Sequence, residues 1–121
     1  MVAGKSGVAP ITQFDATLFR TRFAGEVKDF DPSAILDKKE ARRLDRYAQF
    51  TLVAADEALR DAGLLDENGQ CTEANAGVIW GSGMGGLQTF ENESFDFAHG
   101  DGTPRFNPFF IPKVILSIGA G

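Results

Sequence analysis

The chain has 121 residues, 43% hydrophobic and 24% charged, with 12 Lys+Arg against 17 Asp+Glu and a formal charge of −5. That length suits one domain or part of one, and the acidic balance argues against general nucleic-acid binding, which draws on a basic excess. No apolar run approaches the roughly 18 residues of a membrane span and no signal-peptide pattern opens the chain, so the default compartment is cytoplasmic; the single cysteine, Cys71, excludes a disulfide within the chain and a Cys-based zinc site.

The opening string Met1-Val2-Ala3-Gly4-Lys5-Ser6-Gly7 reads as the tail of a helix entering a glycine-rich loop. Residues 8–15 read as loop or a short extended piece, and Phe23-Ala24-Gly25-Glu26-Val27 as a short strand. Asp31-Pro32-Ser33 is a helix-start signal, because Asp caps and Pro fits the first helical position; it predicts a short helical segment through Leu36. Asp37-Lys38-Lys39-Glu40 has the form of a capping box with Asp replacing Ser or Thr. Behind it Ala41, Leu44, Ala48, Leu52, Ala55, Leu59 and Ala62 recur every three or four residues. The spacing predicts one long helix over residues 38–62, closed by Gly63 as a left-handed C-terminal residue. The side away from the apolar stripe carries Lys39, Arg42, Arg43 and Arg46.

Residues 64–75 are polar and turn-rich, hence loop. Ala76-Gly77-Val78-Ile79-Trp80 is a short apolar run bounded by turn signals, which predicts a buried strand. The cluster Gly81-Ser82-Gly83-Met84-Gly85-Gly86 follows directly, and residues 87–98 suit a helix with rough periodicity. His99 opens a loop that runs to Pro104. Asn107-Pro108-Phe109-Phe110-Ile111-Pro112 is extended, because residues before Pro avoid the helical region, and Pro112 starts a helix through Ile118. Eleven Phe stand against one Trp and one Tyr. Phe lacks a polar handle, so its concentration in the second half calls for a core, an interface or an apolar pocket.

The glycine cluster satisfies G-x-G-x-x-G, which after a strand and before a helix is the dinucleotide fingerprint. About 20 residues on, a second strand should end in an acidic residue, yet no apolar run precedes Asp101. The competing reading is a strand-to-helix turn whose glycines admit another backbone or an apolar ligand.

Five blocks occur in one order: Ala3-Gly4-Lys5-Ser6-Gly7, the stretch from Phe23 through Asp31, the stretch from Asp37 through Arg46, the cluster at 81–86, and Pro108-Phe109-Phe110-Ile111-Pro112. Together they resemble the amino-terminal part of the β-ketoacyl-acyl-carrier-protein synthases, the elongating condensing enzymes of type II fatty acid synthesis, and are most like the synthase II subtype. The resemblance implies an α/β chain forming part of the first half of a thiolase-like αβαβα fold, one partial domain over residues 1–121. It implies a homodimer that needs no cofactor or metal and acts on acyl and malonyl thioesters of acyl carrier protein. In such enzymes a cysteine thiolate takes the acyl group, and a decarboxylated malonyl unit then attacks it.

The resemblance places the nucleophilic Cys and two catalytic His beyond residue 121, and the first strand before residue 1, so the expectation is a fragment with no catalytic residue of its own. Cys71 and His99 match nothing catalytic and read as loop residues. The loop at 65–73 and the segment at 100–104 are longer than is usual in the family. Met84 matches the bulky apolar residue of the acyl pocket, and Phe110 a position that reaches toward the neighbouring subunit's pocket; plain core packing is the alternative for both. Lys39, Arg42, Arg43 and Arg105 match carrier-protein contacts, with Lys38 and Arg46 adding only field. Phe106 stands where the family often has a second basic residue, which weakens that end of the patch. A solvated helix face is the alternative here. Two further possibilities stay open: a non-catalytic partner subunit resembling a chain-length factor, and a nucleotide-binding module.

Overall fold

The computed structural model describes residues 4–119, and these fall in two units that divide after Asp31. The helix tail expected over the first residues lies mostly outside the described range.

The first unit is built on two strands, β1 (Val8–Pro10) and β2 (Phe23–Gly25), antiparallel with Val8 opposite Gly25 and Pro10 opposite Phe23. Pro10 offers no donor to a ladder, which suits a two-stranded pair where both strands are edges. The pairing is extended by the Ile11 N–H donating to the Arg22 carbonyl at 3.0 Å. Glu26, just past β2, accepts from the Thr12 N–H at 2.9 Å, the Thr12 hydroxyl at 2.8 Å and the Gln13 N–H at 3.3 Å. These bonds, led by the Thr12 amide, hold its carboxyl below the ordinary range. The strand expected at 23–27 is therefore present but shorter, and its last polar residue acts as a clasp on the loop that follows β1.

In the second unit the turn after Asp31 closes through Ile35 and Leu36 N–H groups donating to the Pro32 carbonyl, and it does not propagate into the expected helical segment. Asp37 then caps α1 (Lys38–Arg43). Its carboxylate accepts from Lys39 and Glu40 N–H groups at 2.7 Å, and Glu40 reaches back to the Asp37 N–H at 3.2 Å. Such a cap stabilises a helix by about 1 kcal/mol.

The single helix expected over residues 38–62 is two helices. Leu44 takes an extended conformation with ψ of 143° and Asp45 follows it at ψ of 159°, starting α2 (Arg46–Asp61) as a new N-cap. The apolar repeat runs through this break, since Ala41 and Leu44 before it and Ala48 and Leu52 after it are all at least half-buried. Periodicity reports a face and is blind to a cap inside it. At the break the Ala41 carbonyl accepts from the Leu44 N–H at 3.3 Å, and the Gln49 side-chain amide donates to the same carbonyl at 2.8 Å and to that of Leu44 at 3.4 Å. At the far end Gly63 has φ of +68°. The Leu64 N–H reaches the Leu59 carbonyl and the Gly63 N–H the Arg60 carbonyl, a Schellman closure at the predicted position.

Ala48 and Thr51 of α2 are fully buried. Thr51 packs against the 3₁₀ turn Leu116–Gly119, where a Cβ on Gly119 would lie 2.8 Å from the Thr51 hydroxyl oxygen. The Tyr47 hydroxyl donates to the Ile115 carbonyl on the same side. Burial, then the Asp45 charge, raises the Tyr47 phenol's pKa, which keeps it a donor.

Residues 76–80 do not form the expected strand. They have no regular secondary structure and are exposed throughout, Ile79 fully so. A strand needs a partner ladder, and among the described residues none is offered. They flank a groove of about 270 Å³ whose other wall is α2 at Thr51, Ala54, Ala55, Ala58 and Leu59.

The glycine cluster leads into α3 (Leu87–His99), and α4 (Phe110–Val114) precedes the 3₁₀ turn. The last helix thus starts two residues before Pro112, which sits inside its first turn, and it ends sooner than expected. His99 is the final residue of α3, not a loop residue. Its Nδ1 lies 3.0 Å from the Phe95 carbonyl and its ring stacks on Phe95. No helix among the described residues is long and apolar enough to cross a membrane.

Candidate functional site

Two stretches 62 residues apart in sequence (Arg43 to Arg105) line one groove of about 730 Å³: Lys38, Lys39, Arg42 and Arg43 from α1, and the run Arg105, Phe106, Asn107, Pro108 and Phe109. The capping box sets the start of α1, and one and a half helical turns then carry the four cations. Arg42 and Arg43 fall in its last turn, where positive charge is favoured by the carbonyl ends.

The second wall is anchored by Asn107. Its N–H donates to Glu93 of α3 at 3.0 Å, and its side-chain oxygen accepts from the Phe109 N–H at 2.8 Å. Its carbonyl accepts from the Phe110 N–H at 2.8 Å, so one residue ties the run to α3 and starts α4. The Arg43 guanidinium lies 5.1 Å from the centre of the Phe109 ring, joining the two walls. Such a contact contributes about 0.5–1 kcal/mol at an exposed site.

The groove is lined by five cations and no carboxylate. Arg105 pairs with Asp101 at 3.0 Å, both largely exposed. The Asp101 carboxyl is held below the ordinary range, first by the Thr103 N–H and also by Arg105. Lys38, Lys39 and Arg42 form no ion pair among the described residues. Their positive field is therefore directed outward, toward whatever enters. The four expected docking residues are thus brought together. Lys38 joins them as part of the lining, whereas Arg46 lies over the Phe50 ring at 5.2 Å and does not line the groove. Phe106 fills the position of the missing basic residue with an apolar wall. Asn107 and Phe109 line the groove although the sequence assigns them no site role, and Phe106, expected only to weaken the patch, forms part of its wall. The Asn-Pro pair at 107–108 was their signal, since Asn before Pro favours a turn.

The glycine cluster has a backbone explanation. A Cβ on Gly86 would lie 2.0 Å from the Lys113 carbonyl oxygen, and one on Gly85, where φ is +59°, would lie 2.8 Å from that of Val114. These two glycines let the loop press against α4. Gly81 and Gly83 meet nothing within 4 Å. One of the amides at the start of α3 is taken: the Thr89 N–H donates to the Asp45 carboxylate at 3.1 Å. Of the three fingerprint glycines Gly86 alone is accounted for by an internal contact, and the cluster follows no strand among the described residues.

Met84 sits on this loop, 67% exposed. Phe110 is half-buried at the start of α4, its ring 6.2 Å from Phe90 and 5.6 Å from Phe106, which continues to Phe97 at 5.5 Å. The two expected acyl-pocket residues thus have different settings, one free on a loop and one in an aromatic stack. Cys71 is exposed, on a turn closed by the isolated Leu65–Cys71 bridge, with its Sγ 3.7 Å from the Glu73 carbonyl. Among the described residues no group of His, Cys, Asp and Glu is placed to hold a metal.

The family model for the β-ketoacyl synthase N-terminal domain matches residues 1–121. The chain is 42% identical over 121 residues to 3-oxoacyl-(acyl-carrier-protein) synthase 2 of Coxiella burnetii, and 40% identical over 124 residues to the protein of that name from Synechocystis. It is 38% identical over 123 residues to the chloroplastic 3-oxoacyl-(acyl-carrier-protein) synthase I of Hordeum vulgare. These alignments cover 99–100% of this chain but only 26–28% of each relative's length. The ordered blocks, the capping-box helix and the glycine loop thus have a common origin: the chain belongs to the β-ketoacyl synthase family, through its N-terminal domain.

Proposed function

We propose that this chain supplies the carrier-docking groove and part of the acyl-pocket wall of a 3-oxoacyl-(acyl-carrier-protein) synthase. That enzyme elongates fatty acyl chains by decarboxylative condensation with malonyl-carrier protein, and its catalytic Cys and His lie outside these 121 residues. The chain would form part of the first half of a thiolase-like αβαβα homodimer. The observation that carries the reading is the convergence of Lys39, Arg42 and Arg43 with Arg105 in one carboxylate-free groove. A chain of net charge −5 repels an acidic carrier protein overall. Local potential decides the encounter, and five cations on two walls supply it. Phe106 and Phe109 give the same groove apolar surface for partner side chains. Met84, exposed on its loop, has the flexible thioether suited to a wall that yields to an acyl chain. Phe110, held in the aromatic stack, would present a fixed edge.

The test is charge reversal of Lys39, Arg42 and Arg43 together, in a synthase that includes this chain. KM for carrier-linked substrates should rise at least tenfold, while KM for free pantetheine thioesters, which need no docking, stays within about twofold. Equal rises for both substrate classes would remove the docking assignment. An enzyme with no condensing activity toward either, although folded and possessing a downstream cysteine, would remove the catalytic one.

A further inference from the structure

Asp45 is a buried carboxylate, 6% exposed, and its two oxygens serve two different helices. One accepts from the Tyr47 N–H at 3.2 Å and caps α2. The other accepts from the Thr89 N–H at 3.1 Å and from the Thr89 hydroxyl, 44 residues away in α3. Capping α2 needs only one oxygen, and Ser, Thr or Asn would provide it. The N-cap of α3 is Gly86, which has no side chain to offer, so α3 takes its cap from another helix. Both helix N-termini direct positive ends at the same charge, which makes each bond a charge-assisted one. Asp45 lies two residues after Arg43 of the basic groove, and Thr89 five residues after Met84.

We propose that Asp45 is a positioning residue that fixes the Met84 loop relative to the basic helix, and so sets which acyl lengths the pocket accepts without contributing to docking. This rests on the reading of Met84 as an acyl wall. The carboxylate holds the loop from the α3 side, while the backbone of residues 113–114 holds it from the α4 side. With both holds in place the backbone that follows Met84 is fixed at Gly85, Gly86 and Thr89. With the first released, the loop keeps its approach to α4 at Gly85 and Gly86 and the bond from the Gly85 N–H to the Ser82 hydroxyl at 3.1 Å, but loses its link through α3 to Asp45.

The experiment uses three variants of a synthase that includes this chain. Asp45→Asn leaves one acceptor oxygen for two helices, Thr89→Val deletes only the hydroxyl donor, and Thr89→Ser keeps both bonds. Amide hydrogen exchange over residues 81–89 should be about tenfold faster in Asp45→Asn, less accelerated in Thr89→Val, and unchanged in Thr89→Ser. The ratio of kcat/KM for long against short acyl pantetheine thioesters should shift at least about threefold in Asp45→Asn and in the same direction in Thr89→Val. Exchange at the original rate in both Asp45→Asn and Thr89→Val overturns the proposal. So does faster exchange with an unchanged length ratio, which leaves Asp45 a structural cap. If Asp45→Asn does not fold, Thr89→Val decides by the same two readouts. Met84→Ala with an unchanged length ratio sinks the acyl-wall reading by itself, while the exchange rates still judge whether Asp45 holds the loop.

Discussion

The basic groove and the glycine loop lie on the same unit and are held by opposite means. The loop is closed by backbone against backbone, with Gly86 packed where the Lys113 carbonyl leaves no room for a side chain. The groove is open, and its walls meet through one cation–aromatic contact and the Asn107 bonds. A region built by backbone approach tolerates no added atom. A region built by like charges tolerates many substitutions structurally and few functionally, because mutual repulsion among its cations is relieved only when an acidic partner arrives.

The contrast is broken most forcefully at the loop. Gly86→Ala should destabilise by roughly 3 kcal/mol or more, through overlap with a carbonyl that cannot move without displacing α4. Gly83→Ala, with open space around it, should stay within about 0.5 kcal/mol. Thermal unfolding of the two variants checks the pair, and equal midpoints would dismiss the close-approach account.

A smaller effect sharpens the groove side. Asp101→Asn removes the partner of Arg105 and frees that cation, so KM for carrier-linked substrates should fall by about twofold, the scale of an exposed ion pair. A rise would mean that the pair orients Arg105 for docking.

Smallest is the pH response. The Asp101 carboxyl is depressed in the folded protein by the Thr103 N–H first and by Arg105 as well. Its contribution is fully present above the ordinary value of 3.8 and is lost as pH falls through the lower folded value. An NMR titration of the Asp101 side chain should give a midpoint below 3.8, and a midpoint at or above it would contradict the pairing.

Helix caps were the most legible part of the sequence. Asp37 with Glu40, and Gly63, act where their residue types require, because a cap is a local exchange between one side chain and the next turn. The division of residues 38–62 was not legible. Asp45 sits inside an unbroken apolar repeat, and what makes it a cap is also a bond to Thr89, 44 residues on, which no local window contains. Residues 76–80 failed for the opposite reason: their composition is that of a strand, but strand structure belongs to a pair. Lys39, Arg42 and Arg43 were legible as one face of a helix. That Arg105 joins them follows from the Asn107 anchor on α3, and the sequence offered it only through family resemblance. Lys38 was undervalued because its part in the lining depends on the second wall.

The central claim is that Lys39, Arg42, Arg43 and Arg105 act as one docking surface, and calorimetric binding of holo-carrier protein tests it directly. In a synthase that includes this chain, Arg43→Glu and Arg105→Glu should each raise Kd at least about fivefold, with both losses shrinking as salt is raised. Weakened binding in Arg43→Glu beside unchanged affinity in Arg105→Glu would contradict a shared surface.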